Sequence, residues 1–276
     1  MSDSHAAAPA NTPRGGFLFV IVGYVVRVLA VADAEARKLR HDPWELVTRA
    51  VQPVLWLVLF GGVMAQVRGL SPGGIPYLDY LAPGILAQSV LFVAIFYGIS
   101  AIWERDLGVL HRYMVSPAPR SALVLGKALS STFRGLSQAV VIYICAALMG
   151  VDLALDLRRT VLVILFVALG AGLFSTFSLI IACIVKTRER FMGIGQVLTM
   201  PIFFASNAIY PINLMPGWLK AVSSLNPLTY EVDGLRSLML REGHTTFGLA
   251  HDLAALLVAF ALLVTIATRM YPRMTE

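Results

Sequence analysis

The chain has 276 residues, of which 58% are hydrophobic and 14% are charged, with a formal net charge of +6. A soluble domain carries about 25% charged residues to cover its surface, so this composition excludes an ordinary soluble protein and predicts a membrane protein. The positive charge does not indicate nucleic-acid binding, because Lys and Arg stand in short runs between apolar blocks and not on one basic face. Cys145 and Cys183 both lie in apolar stretches, a pattern that predicts neither a disulfide framework nor a metal site.

The N-terminal segment precedes the long apolar blocks. Residues 1–14 are small, polar and Pro-containing, and we predict that they are disordered. Over 15–45 we predict an amphipathic helix that lies in the cytoplasmic interface of the membrane. Its lipid-facing side would consist of Phe17, Ile21, Tyr24, Val25, Val28 and Leu29, and its water-facing side of Arg27, Asp33, Glu35, Arg37 and Lys38.

Two other interpretations of residues 15–32 stay open, a seventh span and a cleaved signal peptide. The string Ala30-Val31-Ala32 before Asp33 resembles a cleavage site. Arg27 opposes both interpretations, because an arginine at the membrane centre costs about 3 kcal/mol on insertion scales.

Residues 46–276 are predicted to form a transmembrane domain of six helices, so the predicted fold class is an all-α membrane protein. Each apolar block is close to the ~20 residues that a helix needs to cross the bilayer, and backbone groups in lipid must be hydrogen-bonded within the segment. If both termini are cytoplasmic, this order of spans places most Lys and Arg residues in cytoplasmic segments. Since Lys and Arg favour the cytoplasmic side, cytoplasmic N- and C-termini are predicted. We place the spans at 47–67, 78–102, 129–151, 160–185, 191–210 and 252–270.

Polar residues within the predicted spans are few and mostly uncharged. We expect Gln52, Gln88, Gln138 and Gln196 to form hydrogen bonds between helices more often than to bind substrate. Arg134 is expected to extend from its span toward the cytoplasmic interface. Because the spans offer no relay of buried acids or histidines, a secondary transporter or channel is a remote alternative. The scattered histidines form no catalytic set, so we expect no catalytic residues and no enzyme activity.

The segment 103–119 is a predicted amphipathic helix at the cytoplasmic surface. Leu107, Leu110 and Met114 recur at helical spacing, and Pro117 and Pro119 must end the helix. Such a helix suits a groove on a soluble partner, although an ordinary charged connecting loop has the same spacing.

Three motifs resemble the type 2 ATP-binding cassette (ABC) exporter permeases. The run E-R-D-L-G-V-L-H-R-Y-M-V-S-P from Glu104, followed by Gly126-Lys127, is similar to the cytoplasmic loop of that family. The run 207–236, N-A-I-Y-P-I-N-L-M-P-G-W-L through N-P-L-T-Y-E-V-D-G-L-R, is similar to its signature before the last span. The run 40–61 is a weaker match. The likeness is strongest to the daunorubicin-resistance and nodulation-factor exporter permeases.

The resemblance implies a permease that works with a separate ATPase subunit. Gly126-Lys127 is not a phosphate-binding loop, since Ala128 stands where Ser or Thr is needed. ATP and Mg²⁺ would therefore bind the partner ATPase, and this chain would bind no cofactor and no metal. The implied cargo is a hydrophobic or amphipathic drug, natural product or lipid, or alternatively a polysaccharide or lipid-linked glycan. The other implied partners are a second permease copy or paralogue and membrane lipid, in a bacterial plasma (inner) membrane.

The resemblance also assigns two sets of residues. Coupling to the ATPase would fall on the 103–119 loop, where Val109, Leu110 and His111 replace the Thr-Leu-Glu that the family often has. The region 207–248 would form extracellular re-entrant helices that shape an exit gate, or a cap without substrate contact. The coupling positions are Glu104, Arg105, Asp106, Gly108, Leu110 and Pro117. The gate positions are Tyr210, Pro211, Pro216, Trp218, Asn226, Pro227, Tyr230 and Asp233.

Overall fold

A computed structural model describes residues 17–41, 43–66, 74–108, 119–185 and 187–274. Residues 1–14 and the predicted coupling positions Leu110 and Pro117 lie outside these ranges. The described chain is dominated by helices: α1 (Phe17–His41), α2 (Pro43–Leu55), α3 (Tyr77–Asp106), α4 (Arg120–Leu148), α5 (Leu157–Ile184), α6 (Arg188–Phe204), α7 (Gly217–Leu225), α8 (Pro227–Met239) and α9 (Leu249–Met270). Helix α2 continues through a π-helical stretch (Trp56–Gly61) and a last turn (Gly62–Met64), and short 3₁₀ turns follow α6 (Ile212–Leu214) and α9 (Tyr271–Met274).

Four helices are long and apolar enough to cross a membrane: α3, α4, α5 and α9, with 30, 29, 28 and 22 residues. At about 1.5 Å per residue even the shortest reaches about 33 Å. The other two predicted spans, 47–67 and 191–210, fall on shorter helices: α2 with its π-helical extension, which is apolar over Thr48–Met64, and α6. The structure therefore supports a membrane protein with four candidate spans, and the count of six stays a prediction.

Two predicted boundaries differ from the structure. Helix α4 begins at Arg120 and not near 129, because α1 packs along its first turns and Lys127 is buried within protein. Helix α6 ends at Phe204, six residues before the predicted end at 210. Beyond it the hydroxyls of Ser206 and Tyr210 donate to the carbonyls of Phe203 and Phe204, which satisfies backbone groups that a continuing helix would have bonded.

The core is centred on α3, which packs against α4 and α5. Every residue from Leu81 to Leu91 is buried. Helix α9 lies at the periphery against α5 and α8, and its outer face exposes Leu257, Val258 and Leu262. Exposed aliphatic side chains on a helix of this length and hydropathy are suited to contact with lipid.

Helix α1 packs along the first half of α4. The Tyr24 hydroxyl donates to Ser121 Oγ at 3.0 Å, and a Cβ on Gly126 would lie only 2.6 Å from Val31 Cβ, so glycine is what allows this close approach. Val25 and Leu29 are exposed as predicted. Tyr24 instead turns toward α4, because Ser121 offers its hydroxyl a partner. On the polar side Arg37 pairs with Asp33 at 2.7 Å, a contact that raises the pKa of Arg37.

Candidate functional site

The cytoplasmic end of α3 is held to α4 by a buried ion pair. Lys127 Nζ lies 2.7 Å from Glu104 Oε2, and both residues are 5% exposed. Sequence reasoning placed Glu104 among the surface positions that couple to an ATPase. The structure turns its carboxylate inward, toward the lysine of the Gly126-Lys127 pair. Any effect of Glu104 on a soluble partner must therefore act through the placement of α3 relative to α4.

The next two residues face the start of α6. Asp106 Oδ2 accepts from Arg188 Nε at 3.2 Å and Nη2 at 2.9 Å, and the Arg188 guanidinium lies 3.7 Å from the centre of the Trp103 ring. Arg105 Nη1 donates to the carbonyl of Val185 at 3.4 Å. Arg188 and Trp103 were not singled out from the sequence, because their partners lie some 80 positions away.

Gly108 ends this region with a left-handed backbone, at a φ of +70°. Its N–H donates to the carbonyl of Arg105 at 3.0 Å, which is the geometry that favours glycine just past a helix end. Nothing in the described chain lies within 4 Å of the position that its Cβ would occupy. The glycine is therefore required within this chain by its conformation and not by a crowded neighbour.

Arg134 does not extend toward the cytoplasmic interface, and that prediction is wrong. The residue is 5% exposed, and its guanidinium stacks 4.2 Å from the centre of the Tyr97 ring on α3 and donates to Ser130 Oγ at 3.2 Å. Since α4 begins at Arg120, Arg134 lies about four turns inside the helix, where an aromatic face replaces water.

Three of the four glutamines in the predicted spans meet at one groove. It measures about 370 Å³ and lies between α2, α3 and α6. Gln88 is 1% exposed, and its Oε1 accepts no hydrogen bond from any residue that the structure describes. Gln52 and Gln196 are exposed on the facing helices. Sequence reasoning weighed each glutamine alone and missed their convergence. The full lining is Thr48, Arg49, Gln52, Pro53, Gln88, Phe92, Val93, Phe96, Met192, Gln196 and Met200.

The predicted gate residues organise the turn between α6 and α8. Asn226 caps α8 by accepting from the N–H of Leu228 at 3.0 Å and donates to the carbonyl of Ile202 at 2.6 Å. Pro227 occupies the first position of α8, where its missing N–H costs nothing. The Tyr230 hydroxyl donates to the carbonyl of Ser224 at 2.6 Å. These contacts fix the α7–α8 corner and attach it to α6.

The other predicted gate residues divide between structured and exposed positions. Tyr210 donates to the last turn of α6, Pro211 precedes the 3₁₀ turn and Pro216 precedes α7. Trp218 is 70% exposed, which suits an aromatic side chain at a membrane–water boundary.

Asp233 and Arg236 tie α8 to its neighbours. Asp233 accepts from the backbone N–H of Thr246 at 2.6 Å and of Phe247 at 3.1 Å, which fixes the turn before α9. Arg236, the last residue of the second motif, is 5% exposed. It donates to the carbonyl of Asn207 at 2.8 Å and lies 3.7 Å above the ring of Tyr80. Arg236 was not among the predicted gate positions, and its buried role was missed.

Two buried acids were also missed. Glu231 is 0% exposed and presses against Gly170 of α5, where an added Cβ would lie 2.1 Å from the carboxylate. Asp252 at the start of α9 is also 0% exposed. No described residue forms a hydrogen bond with the carboxylate of either. The burial of these two acids was not predicted, and within the described chain they form no hydrogen bond with each other.

Comparison with known proteins shows which family this chain resembles. Residues 26–240 match the family described as ABC-2 type transporter. A protein of Cyanophora paradoxa that carries the name transport permease ycf38 is 29% identical over 73% of this chain and 70% of its own length.

Two bacterial relatives carry more specific names. The daunorubicin resistance ABC transporter permease protein DrrB1 of Streptomyces coeruleorubidus is 24% identical over 72% of this chain and 70% of its length. The inner membrane transport permease YadH of Escherichia coli K12 is 25% identical over 79% of this chain and 84% of its length. The family match spans most of the chain, from α1 through α8, and the chain therefore belongs to the ABC-2 type transporter family of permeases.

Proposed function

We propose that this chain is the permease subunit of an ABC exporter and carries a hydrophobic or amphipathic substrate outward. The observation that supports this most directly is the groove between α2, α3 and α6. Its glutamines offer neutral donors and acceptors, and Phe92, Phe96, Met192 and Met200 offer apolar and polarizable contacts. This mixture suits a molecule that has both an apolar body and polar groups.

The proposed topology has six crossings with both termini in the cytoplasm of a bacterial plasma membrane. Its support is the order of apolar helices, with α2 and α6 flanking α3 at the groove, and the preference of Lys and Arg for the cytoplasmic side. Helices α7 and α8 are proposed to re-enter from the outside before α9. The buried contacts of Asp233 and Arg236 give their irregular backbone the protein partners that such depth requires.

The proposed partners are an ABC ATPase and a second permease copy or paralogue. The ATPase would dock at the loop 103–119 and would hold ATP and Mg²⁺, while this chain binds neither. The second permease would close the open side of the groove, since one copy alone supplies only part of a pathway. Export of a polysaccharide or lipid-linked glycan by the same mechanism is the alternative cargo.

Transport by inverted membrane vesicles tests direction and cargo together. Vesicles that hold this chain and its ATPase should accumulate daunorubicin or a fluorescent phospholipid when ATP is added, because the cytoplasmic face is outside. Gln196→Leu should weaken this uptake, and Arg190→Ala, an exposed residue of the same helix that does not line the groove, should leave it unchanged. ATP-driven release from these vesicles would refute export. Uptake of a lipid-linked glycan without either probe would favour the alternative cargo.

A further inference from the structure

The end of α3 and the start of α6 are joined by a set of contacts that we name the α3–α6 clasp. It consists of Trp103, Asp106 and Arg188, with Arg105 donating to the backbone just before α6. Arg188 makes two contacts: the flat face of its guanidinium covers the Trp103 ring, and its N–H groups donate to Asp106. An exposed ion pair alone contributes little, but stacking together with two donors fixes the orientation of the guanidinium.

The clasp lies at the start of the segment 103–119, to which the ATPase is proposed to dock. Asp106 is the last residue of α3, and the left-handed turn at Gly108 follows it directly. Two residues before Asp106, Glu104 binds Lys127. The end of α3 is thus attached to α4 on one side and to α6 on the other, and a displacement of this end must move or break one of these attachments.

Arg188 lies on the same helix as three residues that line the groove. Met192, Gln196 and Met200 line the groove and follow Arg188 at intervals of four residues, which places all four side chains along one stripe of α6. A helix of 17 residues moves largely as a rigid rod. A tilt or rotation imposed at Arg188 therefore repositions Gln196 relative to Gln52 and Gln88.

We propose that Arg188 is a positioning residue through which movement of the end of α3, where the ATPase is proposed to dock, reaches the groove. In this view Asp106 and Trp103 hold the start of α6, so that nucleotide binding by the partner ATPase changes the exposure of Gln196. The inference rests on the proposed function, because it requires an ATPase at that loop. It assigns to Trp103 and Arg188 a role that the three sequence motifs do not include.

A cysteine reporter in the groove tests this. Gln196→Cys is introduced into a chain whose Cys145 and Cys183 are replaced by serine, co-expressed with its ATPase. The rate of labelling by N-ethylmaleimide is measured with and without ATP and vanadate. With the clasp intact we expect nucleotide to change the rate about fivefold, the low end of typical coupling between two sites. Arg188→Ala should remove this dependence while the ATPase still co-purifies.

Three further variants separate positioning from general damage. Arg190→Ala is the matched control, since it removes an exposed arginine two residues along the same helix, and it should keep the nucleotide dependence. Asp106→Asn should also lose the nucleotide dependence of labelling, although asparagine has almost the same shape as aspartate. It replaces Arg188→Ala in the test if that variant reduces expression. The exchange Asp106→Arg with Arg188→Asp should restore part of the dependence.

The outcomes distinguish the two proposals. An unchanged nucleotide effect in Arg188→Ala and Asp106→Asn would overturn the positioning role and leave the exporter proposal intact. Loss of ATPase co-purification in Arg188→Ala alone would also overturn it, because Arg188 would then belong to the docking surface. If the chain with an intact clasp binds no ATPase at all, the proposed function fails and the clasp inference fails with it.

Discussion

Lys127→Met offers the sharpest test of how α3 and α4 are held together. The change keeps most of the side-chain volume but leaves the buried Glu104 carboxylate without the ammonium group 2.7 Å away. Removing one partner of a buried ion pair costs about 3–5 kcal/mol, because the remaining charge loses its compensation. At about 2–4 °C per kcal/mol for a chain of this size, the apparent melting temperature should fall by about 6–20 °C. Thermal stability in detergent, followed by fluorescence-detected gel filtration, measures this directly.

A double variant completes the test. Glu104→Met together with Lys127→Met replaces both charges with apolar groups of similar length, which is often nearly neutral in buried sites, so most of the lost stability should return. Arg190→Met removes an exposed charge and should change the melting temperature by little. Two results would refute the reasoning: Lys127→Met as stable as the Arg190→Met control, or a double variant no more stable than the single one. Either would mean that the pair does not hold the helices.

Three other predictions concern packing and topology. Gly170→Ala places a methyl group against the carboxylate of Glu231 and should destabilise the folded protein by about 1–3 kcal/mol. Glu231→Ala in the same chain should recover part of the lost stability. A Gly170→Ala variant that melts at the temperature of the parent chain would contradict the packing. Arg236→Met removes the charged donor to the Asn207 carbonyl, which keeps only the hydrogen bond from the Tyr80 hydroxyl, and should destabilise by about 1.5–3 kcal/mol. A melting temperature equal to that of the parent chain would contradict this. Topology is tested with a membrane-impermeant maleimide in a chain without native cysteines. The reagent should label Lys220→Cys in intact cells and Arg190→Cys only after permeabilisation. The reverse pattern would overturn the proposed orientation.

The buried ion pair between Glu104 and Lys127 also changes how docking of the ATPase should be tested. Charge reversal at Glu104 would disturb the inside of the permease, so lost co-purification would report folding as much as binding. Asp106 is exposed and Arg105 is partly exposed, so substitutions there leave the buried core intact, but they also remove contacts of the α3–α6 clasp. The same caution applies to the second motif, where Asp233 and Arg236 are buried. Trp218 is an exposed residue of that region and can be replaced without opening the core.

Local pattern determined much of this protein. Runs of apolar residues give the positions of α3, α4, α5 and α9, because a segment in lipid must bond its own backbone. The corner at Asn226-Pro227 follows from chemistry within a few residues, since the asparagine caps and the proline needs no donor. The order of three motifs was enough to indicate the transporter family.

Tertiary structure alone decided which polar groups turn inward. Lipid and protein interior are both apolar, so a helix such as α5 carries little sequence signal for the face that packs inside. Glu104 reads from the sequence as a surface charge near a loop, but Lys127 is brought beside it only when α3 and α4 pack together. The groove glutamines and the Asp106–Arg188 contact likewise join helices that are far apart in the chain. Spacing along one helix predicts that helix, whereas a site between helices exists only after they have assembled.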